Sequence, residues 1–365
     1  MPRADVPIEA VAVTAYRIPT DSPESDGTLA WDATTLVLAE IGAGGETGIG
    51  YSYAAAASAV LIRELLVPCI RGRDAMDVAA CFGAMVHAVR NIGRPGVASM
   101  AIAAVDNALW DLKAKLLQLP LLRLLGAVRD AVPVYGSGGF TSYDEATLAA
   151  QLGGWAEAGI GRVKMKVGRE PRRDPARVAA ARAAIGGGTE LFVDANGAYG
   201  RKQALAMAQA FAAEGVSWFE EPVPSDDREG LRLLRDRAPA GVEIAAGEYG
   251  YDAGYFRRLL AAGAVDVLQA DATRCAGITG FMQAAALCDA FNVPLSAHCA
   301  PSMHAHACCA AAPLRHLEFF HDHARIERML FDGALQPRDG KLHPDLSRAG
   351  HGIDFRHQDA RAYAL

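Results

Sequence analysis

Apolar positions along the chain follow two rhythms, and the change between them falls near residue 130. Before it, residues 9–19 and 34–53 alternate with the period of two that marks strands, and the second stretch turns on the glycine-rich run Gly42-Ala43-Gly44-Gly45. Between them, Thr20 to Trp31 is polar, acidic and irregular, and a connection of that length is either disordered or a lid. Helical spacing follows over roughly 57–70, 75–90 and 97–119, with Asp74 read as a cap and Pro120 as a stop. From Val132 onward, short apolar strands alternate with alanine-rich helical stretches. Strands are predicted near 132–136, 162–167, 190–194, 216–220, 242–246, 265–269, 293–297 and 315–319. Eight strands separated mostly by helices predict a (β/α) barrel behind an α+β unit of about 130 residues. No convincing barrel helix follows the last strand. The tail, with Phe331-Asp332-Gly333, Pro337 and Pro344, reads as a meander returning to the first unit.

Composition narrows the class without naming a chemistry. Of 365 residues 51% are hydrophobic and 37 are glycine, enough for one large α/β unit or two domains. The net charge of -6 comes with no basic block and no zinc-finger spacing, so no nucleic-acid partner is expected. Seven cysteines, none in a Cys-x-x-Cys pair, sit mostly in alanine-rich surroundings and read as reduced thiols of a cytoplasmic protein. The opening Met1-Pro2-Arg3-Ala4-Asp5 lacks the apolar core of a leader, and no run is long enough to span a bilayer, so no membrane partner is expected.

The chemistry is carried by what closes the predicted strands. In Val163-Lys164-Met165-Lys166-Val167, period-two geometry sends both ammonium groups to one side and the apolar residues to the other. An exposed edge strand with solvated lysines is the bland reading. Inside a barrel, two like charges in one small space are expected to lower the pKa of at least one lysine, which makes a base. The next strands end in Asp194-Ala195-Asn196, Glu220-Glu221-Pro222, Gly247-Glu248, Gln269-Ala270-Asp271, Ser296-Ala297-His298 and Glu318. Seven successive strands thus deliver an ionisable group to the barrel mouth. Asp194, Glu220 and Glu248 need a cation to share a site, and all-oxygen ligation favours Mg²⁺ or Mn²⁺. Glu221 is expected to point away in a supporting role. Asp271 beside His298 makes a dyad that fixes one tautomer and raises the imidazole's basicity. A cation, an amine and an imidazole around one mouth suit removal of a proton next to a carboxylate and stabilisation of the enediolate.

The Lys-x-Lys pair, the Asp/Glu/Glu set and the Asp-His dyad resemble, in type, order and strand position, the mandelate racemase subgroup of the enolase superfamily. The resemblance spans nearly the whole chain. It implies a (β/α)7β modified TIM barrel over 131–325, an α+β capping domain over 1–130, and a segment over 326–365 returning to the cap. It implies that Lys166 is the base on one face of the substrate α-carbon, with Lys164 beside the substrate carboxylate and depressing the Lys166 pKa. His298, oriented by Asp271, would be base or acid on the other face. Glu318 would hydrogen-bond the carboxylate or enediolate, and Asn196 would contact the substrate. The regions 20–31 and 50–53 match the two cap loops that choose the substrate. Trp31, Tyr51 and Tyr53 are candidates for the distal pocket, with cap packing as the competing reading. The implied activity is acid-sugar dehydration, a hydro-lyase reaction, with racemisation or epimerisation of a 2-hydroxy acid by opposed Lys166 and His298 as the alternative. A small carboxylate substrate and a homo-oligomer are implied with it. The acidic 20–31 stretch, with Asp21, Glu24, Asp26 and Asp32 and no base, disfavours a diacid docking there, although Arg94 could serve.

Two other classes compete. A metallohydrolase barrel would place His-x-His at the first strand end, where this chain has Gly136-Ser137-Gly138-Gly139. Its His-x-His runs, His304-Ala305-His306 and His321-Asp322-His323, come late. The first falls in a predicted helix, where positions i and i+2 diverge. A non-catalytic barrel kept for binding or structure is disfavoured by the intact set of strand-end groups.

Overall fold

In a computed structural model, residues 5–365 are described; the opening Met1–Ala4, read above for the lack of a leader, lies outside them. Strands β1 (Ala10–Ser25), β2 (Ala30–Ala43) and β3 (Glu46–Tyr53) form an antiparallel sheet in that order. Its apolar face meets the helix Val97–Leu116, burying Val37, Ala39 and Ile41 against Val105, Ala108 and Leu109. The approach is close enough that a Cβ at Gly50 would fall 2.2 Å from the amide nitrogen of Ala108, so only glycine fits.

Residues 20–31 are ordered, and the expected lid over the barrel mouth is a paired ribbon rather than an irregular loop. They continue the strands: Glu24 pairs with Trp31 and Ser25 with Ala30 around the short turn at 26–29. The polar sequence hides this because the ribbon is held by hydrogen bonds rather than apolar burial. Thr141 N–H donates to Ser25 O at 2.8 Å, Ser142 Oγ to Pro23 O at 2.7 Å, and His321 pairs with Asp21 at 2.9 Å. Asp74 also differs from expectation. It accepts the Val6 and Met76 amides rather than capping the helix Val78–Ala88.

The eight predicted barrel strands are all present. They are β4 (Val132–Gly138), β5 (Arg162–Lys166), β6 (Glu190–Asp194), β7 (Val216–Glu220), β8 (Glu243–Ala246), β9 (Val267–Ala270), β10 (Leu295–Ala297) and β11 (Leu314–Phe320). They pair in parallel in chain order, and β11 closes on β4 through Glu318 and Tyr135. The interior is plugged by Tyr135, Phe192, Trp218, Ala245 and Val267, with Phe192 stacked on Trp218 at 5.1 Å. A packed plug leaves only the ends of the strands open for chemistry.

The last strand is followed by a helix after all, His321–Leu330, which the sequence reading missed. Its buried face includes Asp322, His323 and Glu327, so its apolar period is broken, and Ile326 and Leu330 pack with Tyr16, Ile18 and Leu36 of the cap. The tail then pairs Phe331–Asp332 with Asp354–Phe355, adds Lys341–Leu342 to β4, and ends with Leu365 N–H on Ala15 O. All seven cysteines are free. No helix among the described residues is long and apolar enough to cross a membrane.

Candidate active site

Strand register brings the lysines to the carboxylates. Lys166 lies beside Asp194 across β5 and β6, and Asp194 beside Glu220 across β6 and β7. Alternation sends Val163 and Met165 into the core under the barrel helices and both lysines inward. Lys164 Nζ stands 2.7 Å from Glu220 Oε1 and 2.8 Å from Glu318 Oε1, with the ring centre of Tyr135 at 5.2 Å. Lys166 Nζ is 2.5 Å from Asp194 Oδ2. The expectation of a lowered lysine pKa is corrected here. Burial does disfavour charge on both amines, but Glu220 and Glu318 around Lys164, and Asp194 beside Lys166, outweigh it and hold both pKa values above the ordinary one. Lys164 does depress Lys166, as expected, but less than Asp194 raises it.

Asp194, Glu220 and Glu248 are buried, and each presents a carboxylate oxygen within 4.8 Å of the others'. Counting Glu221, Asp271 and Glu318, six buried carboxylates face the three basic side chains Lys164, Lys166 and Arg274. The surplus is felt at Glu221, which stays outside the Asp194, Glu220 and Glu248 cluster but close enough to feel its charge. Burial and the charges of Glu248, Asp194 and Glu220 push its carboxyl well above the usual range. A hard, oxygen-only donor set with excess negative charge fits a hard dication.

Across the mouth, His298 Nδ1 meets Asp271 Oδ2 at 2.8 Å, and Asp271 Oδ1 accepts the Thr273 N–H at 2.7 Å. The aspartate therefore keeps a proton on Nδ1 and turns Nε2 to the cavity, where Glu248 Oε2 lies at 3.0 Å and Glu318 Oε2 at 3.5 Å. Burial opposes charge on the ring, but Cys299, Glu248, Glu318 and Asp271 together hold its pKa well above the ordinary histidine value.

Over these groups lies a cavity of about 600 Å³. Lys166, Asn196, Glu248, His298 and Glu318 front it, while Lys164, Asp194, Glu220 and Asp271 stand behind its wall. The ribbon contributes Asp26, Leu29 and Trp31. Of the 50–53 stretch only Tyr53 reaches the cavity, stacked on His323 at 3.5 Å. Tyr51 is corrected as a substrate contact. It lies beside Tyr53 on the same side of β3 but does not line the cavity; it donates its hydroxyl to Glu327 Oε1 at 2.5 Å and packs on Phe331, so cap packing is its role. Arg94 does not line the cavity, and its guanidinium lies over Phe82.

Residues 147–360 match the model of the enolase C-terminal domain-like family, and residues 10–126 match the N-terminal domain of mandelate racemase / muconate lactonizing enzyme. The chain belongs to the mandelate racemase/muconate lactonizing enzyme family of the enolase superfamily. Among solved members, a mandelate racemase/muconate lactonizing enzyme-like protein from Rubrobacter xylanophilus is 56% identical, with a TM-score of 0.96 over 98% of this chain and 99% of that one. The 3,6-anhydro-α-L-galactonate cycloisomerase of Streptomyces coelicolor is 32% identical over 358 residues, 95% of this chain and 96% of that protein. The L-talarate/galactarate dehydratase of Salmonella typhimurium LT2, solved with Mg and L-lyxarohydroxamate, is 30% identical. Its TM-score is 0.90 over 99% of this chain and 94% of that one. Curated relatives of this family member are thus sugar-acid dehydratases and cycloisomerases.

Three groups at the mouth of this enolase-superfamily barrel are not assigned to the site from the sequence, although His323 stands in a His-x-His run noted there. Arg274 bridges Glu248 at 3.2 Å and Asp271 at 3.7 Å, and its place three residues after Asp271 was the available signal. His323 lines the cavity as a neutral ring, its pKa pushed down to about 3 chiefly by burial. Cys299 follows His298, and burial pushes its thiol up to about 12. His304 and His306, by contrast, are structural. They accept the Ala272 and Leu122 amides respectively, pointing apart as the helical spacing predicts.

Proposed function

We propose that the protein removes the α-proton of a hydroxy-monocarboxylate of the sugar-acid type and expels the β-hydroxyl as water. In this reading Asp194, Glu220 and Glu248 hold Mg²⁺. The observation that carries it is that Lys166 and His298 front one cavity from strands β5 and β10, with the three carboxylates between them around the barrel. Bound there, the cation would supply charge stabilisation for the two enediolate oxygens.

Every other step falls to side chains. Lys166 is the base: Asp194 favours its charge and Lys164 opposes it, and a dication drawing on Asp194 would tip that balance toward the neutral amine. His298, kept protonated at Nε2 by the acidic groups around it, gives that proton to the departing hydroxyl while Asp271 holds Nδ1. Glu318, pinned by Lys164, faces the carboxylate end of the substrate, and Asn196 offers a further contact from the wall at the end of β6. The ribbon tip and Trp31 cover the mouth and keep water out. A monoacid is favoured over a diacid. The basic groups lining the cavity are Lys166, Arg274, His298 and His323, with Arg274 already tied to Glu248 and Asp271. The rest of the wall mixes Leu29, Val97, Met100 and Phe320 with Asp26, Asn196 and the hydroxyls of Thr34, Thr35, Tyr249 and Tyr251. A second carboxylate there would meet hydroxyls but no cation free of other partners to offset its lost hydration.

The test is solvent deuterium exchange at the α-carbon and product analysis against a panel of aldonic and aldaric acids with Mg²⁺ present. A 2-keto-3-deoxy monoacid is expected from wild type. Lys166→Ala and His298→Asn should each lose about 10²–10⁴-fold in turnover with the fold intact, and chelation should abolish activity until Mg²⁺ is returned. Retained turnover in both variants would overturn the two-group assignment. Exchange with inversion and no water loss would replace dehydration with epimerisation, which the same opposed groups also suit.

A further inference from the structure

A second cluster of metal-binding donors lies in the cavity wall, apart from the three carboxylates. His298 Nε2 is 3.3 Å from Cys299 Sγ, Cys299 Sγ is 3.5 Å from Glu318 Oε2, and His298 Nε2 is 3.5 Å from Glu318 Oε2. With Zn–S near 2.3 Å and Zn–N or Zn–O near 2.0–2.2 Å, the edges of a tetrahedral zinc site come to roughly 3.3–3.6 Å. The triangle is therefore already the size of one face of such a site. The fourth position opens to the cavity, since all three residues line it.

Two further features belong to a built metal site. Asp271 holds the far ring nitrogen of His298 at 2.8 Å, the carboxylate–histidine arrangement that orients and strengthens a metal-binding imidazole. Cys299 (φ 55°) and Ala300 (φ 41°) both adopt the left-handed backbone conformation that non-glycine residues seldom take. In that conformation Cys299 keeps its sulfur on the cavity wall and its N–H 3.3 Å from Glu318 Oε2.

We propose that His298, Cys299 and Glu318 form an inhibitory site for a soft divalent cation such as Zn²⁺, distinct from the oxygen-only site. Binding forms Zn–N, Zn–S and Zn–O bonds and releases two protons to solvent, one from the Cys299 thiol and one from His298 Nε2. The imidazole gives up its contact with Glu248 and can no longer move a proton. The sulfur ligand makes the site selective against Mg²⁺. The binding claim stands on this geometry alone, whereas the inhibition clause rests on the reading of His298 as the proton donor.

Co²⁺ serves as the probe, added to the full chain in excess Mg²⁺ so that the carboxylate set is occupied. Wild type should show one equivalent of tetrahedral Co²⁺ with a thiolate charge-transfer band in the near ultraviolet, bleached when Zn²⁺ is added. Cys299→Ala should fold, lack the band, and need on the order of 100-fold more Zn²⁺ to halve its own Mg²⁺-supported turnover, whatever that turnover is. No band in wild type, or the same band in Cys299→Ala, would overturn the site. A Cys299-dependent band without inhibition would support the site and overturn the proton-donor reading of His298.

Discussion

The most direct test of the ribbon as a closing element is Gly27→Ala. A Cβ at Gly27 would lie 2.4 Å from Ala195 O, 2.7 Å from Val167 O and 2.9 Å from Ala198 Cβ. Carbon–oxygen contacts normally begin near 3.3 Å, so the overlap with the nearer carbonyl is about 0.9 Å. Those carbonyls follow β6 and β5, and their neighbourhood is pinned by Val167 N–H on Asp194 O and Ala195 N–H on Glu220 O. The ribbon tip is the cheaper element to move. Overpacking costs about 1–3 kcal/mol. The tip is held chiefly by Ser25, Asp26 and Pro23 on Thr141 and Ser142, bonds worth about 1 kcal/mol each. Relief by lifting the tip thus competes on even terms with strain, and a shift of about 2 kcal/mol changes the closed-to-open ratio by roughly 30-fold. We expect kcat/KM to fall by about 10–30-fold. The melting temperature should move by only a few degrees, because the tip belongs to neither large core. Trp31, which donates to Glu24 at 2.7 Å and meets Phe140 edge-on, should shift its emission to the red, with Trp31→Phe as the reference for the other tryptophans. Unchanged turnover together with unchanged Trp31 emission would refute the argument.

Two further predictions concern the hydrogen bond between cap and barrel at Glu327. Tyr51→Phe should cost about 1–3 kcal/mol of stability, because it removes a buried donor from Glu327, and should leave KM unchanged; a raised KM with normal stability would return Tyr51 to the substrate pocket. Burial above all pushes the Glu327 carboxyl up to about 7 from 4.5. Between those values the folded chain keeps a proton that the unfolded chain releases, so this group's contribution to stability falls as pH rises from about 4.5 to 7 and is level outside that window. Denaturant titrations of Glu327→Gln should show a flatter pH dependence across it, and a slope equal to wild type would sink the assignment.

What the sequence disclosed followed how each residue is held. Barrel strands such as Glu190–Asp194 are short, apolar and buried on both faces, and an ionisable residue at the end of each stands out against that background. What stayed hidden is held by partners distant in the chain. Residues 20–25 carry no apolar face, and their extended form is imposed by Thr141, Ser142 and His321. The helix His321–Leu330 buries charged residues, so its period does not show. Tyr51 and Tyr53 share one side of β3, and only the docking of cap on barrel decides that Tyr53 meets the cavity while Tyr51 meets Glu327.

The lysine pair shows why electrostatics is the least legible layer. From the local sequence, two ammonium groups two residues apart can only repel, and the inference of a lowered pKa follows. Folding adds Asp194, Glu220 and Glu318 from three other strands at 2.5–2.8 Å, and the sign of the net effect reverses. The same carboxylates that read as cation ligands are the ones that hold the lysines charged. Ligand and proton therefore compete for one set of oxygens, and drawing Asp194 toward a dication is what would restore the repulsion that the sequence alone suggested. In the proposed reaction Lys166 would give up its proton more readily with a cation held by Asp194, Glu220 and Glu248 than without one.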